Sequence, residues 1–475
     1  MEDASKSSHK RKAAVACDAF PHGSSSKRRP AAAAEEEQRD WTSLHQDVTK
    51  LIADRLLAED VTEYIVFRAV CAHWRASAPS PRDPTLADRK FHPRGWVALC
   101  DGTGVRPVDA EAIAFLHAST GRVRRVRLWE ELQGQRVVGF TDGLVLLLDA
   151  GSAVVRVLHP FTRVIVQLPS LAGFFHNALS KQAWFKMEYF VSLSAAVVCV
   201  STSSIAVVVW FPDMPVVICA EPSSEGWAVL HTNIQFTNTL PFDGRLYGVT
   251  RVGRQLVQVY PVHTHVDAVV AEVPKDLGHP MSCRYYLVES MGAMLVAVLH
   301  SVPGKPPGAF TLFKVDLRGH KLTRVPNLGD QALFLADDRC LSVSAKDLPS
   351  ISSNSIYFAT PKSHKPTVHS LDDGSFESFI PTICILERDK PVTRWRHVRP
   401  FTLAEQLLTY CHHREWTRGL MFPVPGFSDR LKKWFDAQDT EVVVPRLREP
   451  AGQLDKVVIR DLSYASALAR ITGTN

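Results

Sequence analysis

Hydrophobic positions change their period near residue 80. Between Trp41 and Pro79, Leu44, Val48, Ile52 and Leu56 recur every four residues with Leu51 beside them, the spacing of one apolar stripe on a helix. Ser43-x-x-Gln46 heads the run as a capping box, in which the hydroxyl and the amide satisfy free backbone N–H groups at a helix start. Asp60-x-x-Glu63 is a second start signal. Val66, Val70 and Trp74 then repeat the spacing, with Phe67 and Cys71 on the neighbouring row, until Pro79, Pro81 and Pro84 end the pattern. The expectation is an all-α unit over residues 41–79 and a linker over 80–94. A helical unit of about 40 residues has more apolar surface than it can bury by itself. Its sequence offers neither a cysteine pair nor a metal-ligand set as a staple, so a partner surface is the natural sink.

From Gly95 the pattern becomes Val-rich alternation broken by turn residues. Candidate strand cores are Gly95–Leu99, Gly143–Leu148, Val197–Val209, Gly244–Val249, Met294–Leu299 and Ser355–Ala359. Their spacing of roughly 45 to 65 residues matches the repeat of four-stranded propeller blades. Asp142-Gly143 and Asp243-Gly244 read as tight turns leading into strands. The apolar stretch Ala195–Phe211 is interrupted by Ser201–Ser204, and is read as two strands and a turn rather than a membrane helix, which needs about 20 apolar residues. The pattern predicts an all-β, β-propeller-like domain over 95–385 with five to seven blades, each sheet stacking its two apolar faces between neighbours. Residues 386–475 lose the pattern. Leu403–Cys411 and Leu431–Phe435 are short helix candidates, and the rest is expected to be a loose C-terminal extension.

Composition changes this picture mainly at the N-terminus. Residues 1–40 are rich in Ser, Ala and charge and are expected to form a disordered tail. The first 30 residues carry seven basic and three acidic side chains, so four of the six net positive charges of the chain lie there. Nucleic-acid binding by the folded body would need a concentrated basic face, of which the charge totals give no sign, and it is not expected. The clusters Lys10-Arg11-Lys12 and Lys27-Arg28-Arg29 are open to two readings, a bipartite nuclear localisation signal for an import receptor or a solvated basic tail. Nine cysteines fall singly, no N-x-S/T acceptor occurs, and no apolar signal segment opens the chain; together they point to a reduced, intracellular protein of the nucleus or cytoplasm.

Candidate chemistry is sparse. His263-Thr264-His265-Val266-Asp267 would place two imidazoles and a carboxylate on one strand face, but Ala268 stands where a further ligand is needed. Cys411-His412-His413 offers adjacent residues, which rarely point at one ion, and no second ligand pair accompanies them. Gly102-Thr103-Gly104 lacks the third glycine of a dinucleotide fingerprint, and the pairs Asp337-Asp338 and Asp372-Asp373 read as turn acids. No metal, cofactor or catalytic activity is expected.

The helical unit resembles an F-box: a Leu-x-x-Asp-Val start at Leu44, a helix ending in Arg55-Leu56, an acidic turn, then Phe67-Arg68-Ala69-Val70-Cys71-Ala72-His73-Trp74-Arg75. His45 stands where the family has a proline that preorganises the first turn and packs on the adaptor. The β region resembles the kelch-like C-terminal domain of the plant F-box family labelled domain of unknown function 295. The strings are His159–Arg163 running to Leu168-Pro169, Trp227–Leu230, Arg284–Ser290, Phe313–Leu317, Leu328–Leu335 and Ser353–Phe358, and with the F-box they cover residues 41 to 380. The resemblance implies a substrate receptor of a cullin–RING ubiquitin ligase, not itself an enzyme. It would bind a Skp-family adaptor and, through it, cullin and RING protein, with an unknown protein substrate on the C-terminal domain. Leu44, His45, Val48, Ile52, Leu56, Val70, Cys71 and Trp74 are then the residues that contact the adaptor or fold the docking unit. A propeller enzyme or ligand-binding protein, and an F-box scaffold outside any cullin complex, are the competing readings.

Overall fold

A computed structural model describes residues 41–378, apart from 100–111, 129–134, 176–192, 262–267, 301–308, 360–365 and a few further positions. The expected basic tail with its Lys10–Lys12 and Lys27–Arg29 clusters, Gly102–Gly104, Asp337-Asp338, His263–Asp267, Cys411–His413 and the extension over 386–475 lie outside the described residues, as does the boundary set at 385. The chain divides into two compact units. Of the first, which ends at His45, the described part holds a 3-10 turn at Trp41–Ser43.

The second unit opens with three helices, α1 (Gln46–Glu59), α2 (Val61–Ala69) and α3 (Ala72–Ala76). Two features differ from the sequence reading. Gln46 is the first residue of α1, whereas a capping box from Ser43 would make it the third; Ser43 belongs to the 3-10 turn instead. The apolar run through Val66, Val70 and Trp74 is not one helix, because the chain turns at Cys71. Its extended backbone and its Sγ, accepting the Trp74 N–H at 3.4 Å, start α3 anew. The second start signal does operate: extended Asp60 caps α2, its carboxylate accepting the Thr62 N–H at 2.8 Å. Tyr64, Phe67, Ala53 and Ala78 form a small core with Phe91 of the linker, and Leu56, Leu57 and Trp74 pack at its edge. The Trp74 ring stacks on Phe67 with centroids 4.6 Å apart.

Six sheets follow. The first holds β1 (Trp96–Leu99), β2 (Ala112–His117) and β3 (Val123–Arg127), and the second β4 (Gln135–Thr141), β5 (Leu144–Asp149), β6 (Val154–Leu158) and β7 (Ile165–Ser170). The third has β8 (Ser194–Cys199), β9 (Ile205–Phe211), β10 (Met214–Ala220) and β11 (Ala228–His231), and the fourth β12 (Phe236–Phe242), β13 (Arg245–Thr250), β14 (Gln255–Val259) and β15 (Ala268–Glu272). In the fifth are β16 (Cys283–Ser290), β17 (Ala293–His300), β18 (Phe310–Asp316) and β19 (Lys321–Val325). The sixth is ordered β21 (Cys340–Ser344), β20 (Gln331–Leu335), β22 (Ser355–Ala359), β23 (Pro366–Ser370) and β24 (Phe376–Ser378), with β20 and β22 parallel. All other pairings are antiparallel meanders.

Each expected strand core falls in a different sheet, and Ala195–Phe211 is indeed two strands, β8 and β9, joined across Ser201–Ser204. The sheets pack as blades. Apolar clusters join the second sheet to the third through Leu146 and Val207, the third to the fourth through Val208 and Leu246, the fourth to the fifth through Val249 and Leu287, and the fifth to the sixth through Leu299 and Phe358. Trp96 and Phe115 of the first sheet share a cluster with Leu147 of the second and Phe334 of the sixth, so the ring closes as a six-bladed β-propeller.

The edge strands β4, β8, β12, β16 and β21 meet at the middle. The Thr141 hydroxyl accepts the Val197 N–H at 3.0 Å, Asn238 accepts the Leu287 N–H at 2.8 Å, and the Ser290 and Ser342 hydroxyls are 2.8 Å apart. At Gly139, β4 runs so close to the Ala195 carbonyl that a Cβ would collide with it. Asp142–Gly143 and Asp243–Gly244 close two inner hairpins with positive φ at both residues (50° and 79°; 49° and 73°), the primed turn that suits strand twist.

Candidate docking surface

α1 buries a different face from the one its four-residue stripe suggested. Thr49 and Ala53 point inward, followed by half-buried Leu56 and Leu57. Val48, Leu51 and Ile52, spaced i, i+3 and i+4, are left outside at 48%, 73% and 37% exposure. Val66 on α2 and Val70, which caps its C-terminus, are likewise exposed, at 49% and 56%. The unit therefore fills its own core with one set of apolar residues and shows a second set to solvent. Full burial of an exposed Leu, Ile or Val contributes roughly 1.5–3 kcal/mol, and each of these partly exposed side chains would gain a fraction of that.

This arrangement divides the residues named from sequence. Val48, Ile52 and Val70 are exposed, while Leu56, Cys71 and Trp74 are half-buried, the last as a packing partner of Phe67. In the first unit, Leu44 is half-buried and His45 exposed. Leu51 and Val66, both outside the sequence-derived set, are more exposed than Ile52; the signal for them was an apolar residue lying off the stripe that the core uses.

The helical unit is fixed to the propeller through Asp60 and Glu63. Asp60, 4% exposed, accepts from Trp96 Nε1 of β1 at 2.8 Å and from Arg122 at 2.8 Å, besides the backbone and hydroxyl of Thr62. Glu63 takes Arg122 at 2.7 Å and Arg124 at 2.8 Å. Burial works to raise the Asp60 carboxyl, but the hydrogen bonds from Trp96 and Thr62, with His117 nearby, hold it below its ordinary value.

The linker is pinned across one end of the ring. Asp83 accepts the N–H groups of Thr85, Ala87 and Asp88, turning the chain into Arg89. Arg89 reaches the inner hairpins of two blades, Asp142 at 3.5 Å and Asp243 at 2.7 Å. The Pro93 carbonyl packs on Gly143, and Arg89 lies with Cys199 of the third blade against Gly244. Burial opposes the charged form of Asp142, yet His92 and Arg89 hold its carboxyl low; burial and then the nearby Asp142 push Glu289 up. The segment thus bridges the inner hairpins of the second and fourth blades at one end of the ring.

His159 ties the same linker to the second blade and accounts for the His159-Pro160-Phe161-Thr162 string. Nδ1 accepts the N–H groups of Phe161 and Thr162 at 3.3 and 3.2 Å, so Nε2 carries the proton and donates to the Phe91 carbonyl at 2.9 Å. Burial pushes this imidazole down to about 4.

Among the described residues no group of three or more His, Cys, Asp or Glu is placed to hold a metal ion. Asp372 accepts from Asn354 at 2.6 Å and Asp373 from the Ser375 N–H at 3.0 Å, so that acidic pair serves a turn. No helix among the described residues is long and apolar enough to cross a membrane.

A closed ring of six blades with a helical lead joined to the first of them defines a β-propeller protein that presents an apolar helical face. Residues 115–380 match the KIB1-4 beta-propeller family, and the chain belongs to that family. It is also similar to F-box protein At2g17690 of Arabidopsis thaliana, at 33% identity over 109 residues, which are 21% of this chain and 26% of that protein. The match thus spans about a quarter of the curated relative. Solved structures that resemble it include the beta-propeller domain of Myceliophteria thermophila Cps50 (Swd1), at 12% identity, with 57% of this chain and 82% of that one covered and a TM-score of 0.26. Another is apo AztD from Citrobacter koseri, at 9% identity, with 60% and 85% covered and a TM-score of 0.25. Neither superposition is close enough to bear on function.

Proposed function

We propose that this chain is a plant F-box protein, the non-catalytic substrate receptor of a cullin–RING ubiquitin ligase. The observation that carries the reading is the exposed set Val48, Leu51, Ile52, Val66 and Val70 on a helical unit whose own core is already filled. The F-box string between Leu44 and Arg75, the likeness to a curated F-box protein and the propeller behind it support the same assignment. In this role α1 and α2 dock on a Skp-family adaptor that leads to cullin and RING protein. The propeller recruits a protein substrate and raises the effective concentration of its lysines near the loaded conjugating enzyme. The finer likeness to the domain labelled 295 belongs to this reading, on the strength of the ordered strings from His159 to Phe358. So does a nuclear or cytoplasmic location, with Lys10–Lys12 and Lys27–Arg29 as an import signal.

The test is reconstitution of the full chain with adaptor, cullin, RING protein and conjugating enzyme. Co-purification and ubiquitin-chain formation that depend on the receptor support the assignment. A chain that stays apart from the adaptor at micromolar concentration refutes it. Adaptor binding without ligase activity would instead mark a scaffold.

A further inference from the structure

The innermost strand of the second blade starts at the end of the ring opposite the linker. Asp142–Gly143 closes the β4–β5 hairpin under the linker, so Arg136, near the start of β4, stands at the opposite end beside the axis. Its side chain is only 2% exposed. None of its Nε, Nη1 and Nη2 atoms has a hydrogen-bond partner among the described residues. In the β4–β5 register Arg136 faces Leu148, whose side chain lies in the cluster shared by the second and third blades, so the guanidinium is on the β8 side of the strand. Burial pulls it down to about 10, which still leaves it a cation at neutral pH.

A buried cation with no counter-charge costs several kcal/mol, and well-packed apolar residues of similar volume commonly do better. Leu146 and Leu148 on the neighbouring strand show that this wall accepts apolar side chains. A guanidinium kept there has five N–H donors in a planar fork, the shape that takes two oxygens of one anion.

We propose that Arg136 anchors an oxyanion-binding site between the second and third blades, taking a phosphate or carboxylate group. The site stands apart from adaptor docking and does not depend on the F-box assignment.

Thermal unfolding of the full chain in rising inorganic phosphate, against chloride at matched ionic strength, tests it, with acetate as the carboxylate arm. The wild-type midpoint should rise by about 3–6 °C near saturation with at least one of the two anions. Arg136→Met should lose that response, and its midpoint without anion should be no lower than that of the wild type. Arg136→Lys, which keeps the charge and most of the volume but not the fork, should retain only a small part of the shift; it decides the matter if the Met variant does not fold. An equal anion response in wild type and either variant overturns the proposal, as does a wild type that responds to neither anion. Isothermal titration of phosphate and acetate into the wild type and Arg136→Lys checks that the shift comes from stoichiometric binding.

Discussion

Replacing Asp60 by Ala should loosen the helical unit from the propeller. The carboxylate is buried and serves four donors at once: the Thr62 N–H and hydroxyl, the Trp96 indole and Arg122. Loss of an N-cap costs about 1 kcal/mol. The Trp96 indole N–H, on a residue 2% exposed, loses its acceptor, which adds about 1–3 kcal/mol. Arg122 is 45% exposed and is left with Glu63 and water, so its share is small. The sum is about 2–4 kcal/mol. In urea, with a slope of about 2–3 kcal/mol per molar, the transition that includes the helical unit should move down by about 1 M. Protease should cut α1 and α2 in Asp60→Ala before it cuts the blades. Asp60→Asn keeps a capping oxygen and should fall between the two. The folded carboxyl is held below its unfolded value of 3.8, so its contribution is complete above that pH and is lost as pH falls through the folded value. The Asn variant should lack that acid-sensitive part. An Asp60→Ala chain with the wild-type midpoint and wild-type protease resistance would refute the idea that this carboxylate joins the two parts.

Three further outcomes follow from other positions. His159 has a folded value of about 4 against 6.5 in the free side chain, so its contribution is full above pH 6.5 and is lost between 6.5 and 4 at up to about 1.4 kcal/mol per pH unit. His159→Gln should be less stable at pH 7.5 but show a flatter stability profile across that window in denaturant titrations. Gly139→Ala should destabilise the propeller by more than about 2 kcal/mol, read as a lower urea midpoint, because its Cβ meets the Ala195 backbone carbonyl rather than a movable side chain. Leu51→Ser, at a site 73% exposed, should change the free chain's stability by less than about 0.5 kcal/mol in the same assay.

The blade pattern was legible because a propeller strand is buried on both faces: runs such as Leu144–Leu148 and Ile205–Val209 are apolar without a break. Asp-Gly turns announced two of the inner hairpins, since that pair takes positive φ at two successive residues at low cost. The parallel pairing of β20 with β22 carries no local signal, as it depends on which strands meet after a connection. The helical unit was legible as helices but not as faces. Leu44, Val48, Ile52 and Leu56 make a clean stripe, yet the core takes Thr49, Ala53, Leu56 and Leu57, because the linker's Phe91 sets which side of α1 is covered. Trp74 suggested a contact residue by its type and proves to pack on Phe67, so its truncation would unfold the unit before it reported on binding. Arg136 and Arg89 lie in unremarkable sequence, and Asp60 announced only its capping role; the ion-pair partners of Asp60 and Arg89 are 53 or more residues away, and for Arg136 only burial singles it out.

The central claim is that the apolar strip left outside on α1 is an adaptor-docking face. The direct test is the equilibrium affinity of the full chain for a purified Skp-family adaptor, compared with Val48→Asp, Leu51→Asp and Ile52→Asp combined. Charging three contact residues should weaken binding by at least about 100-fold while thermal stability stays within that of the parent. Unchanged affinity in a folded triple variant would contradict the account.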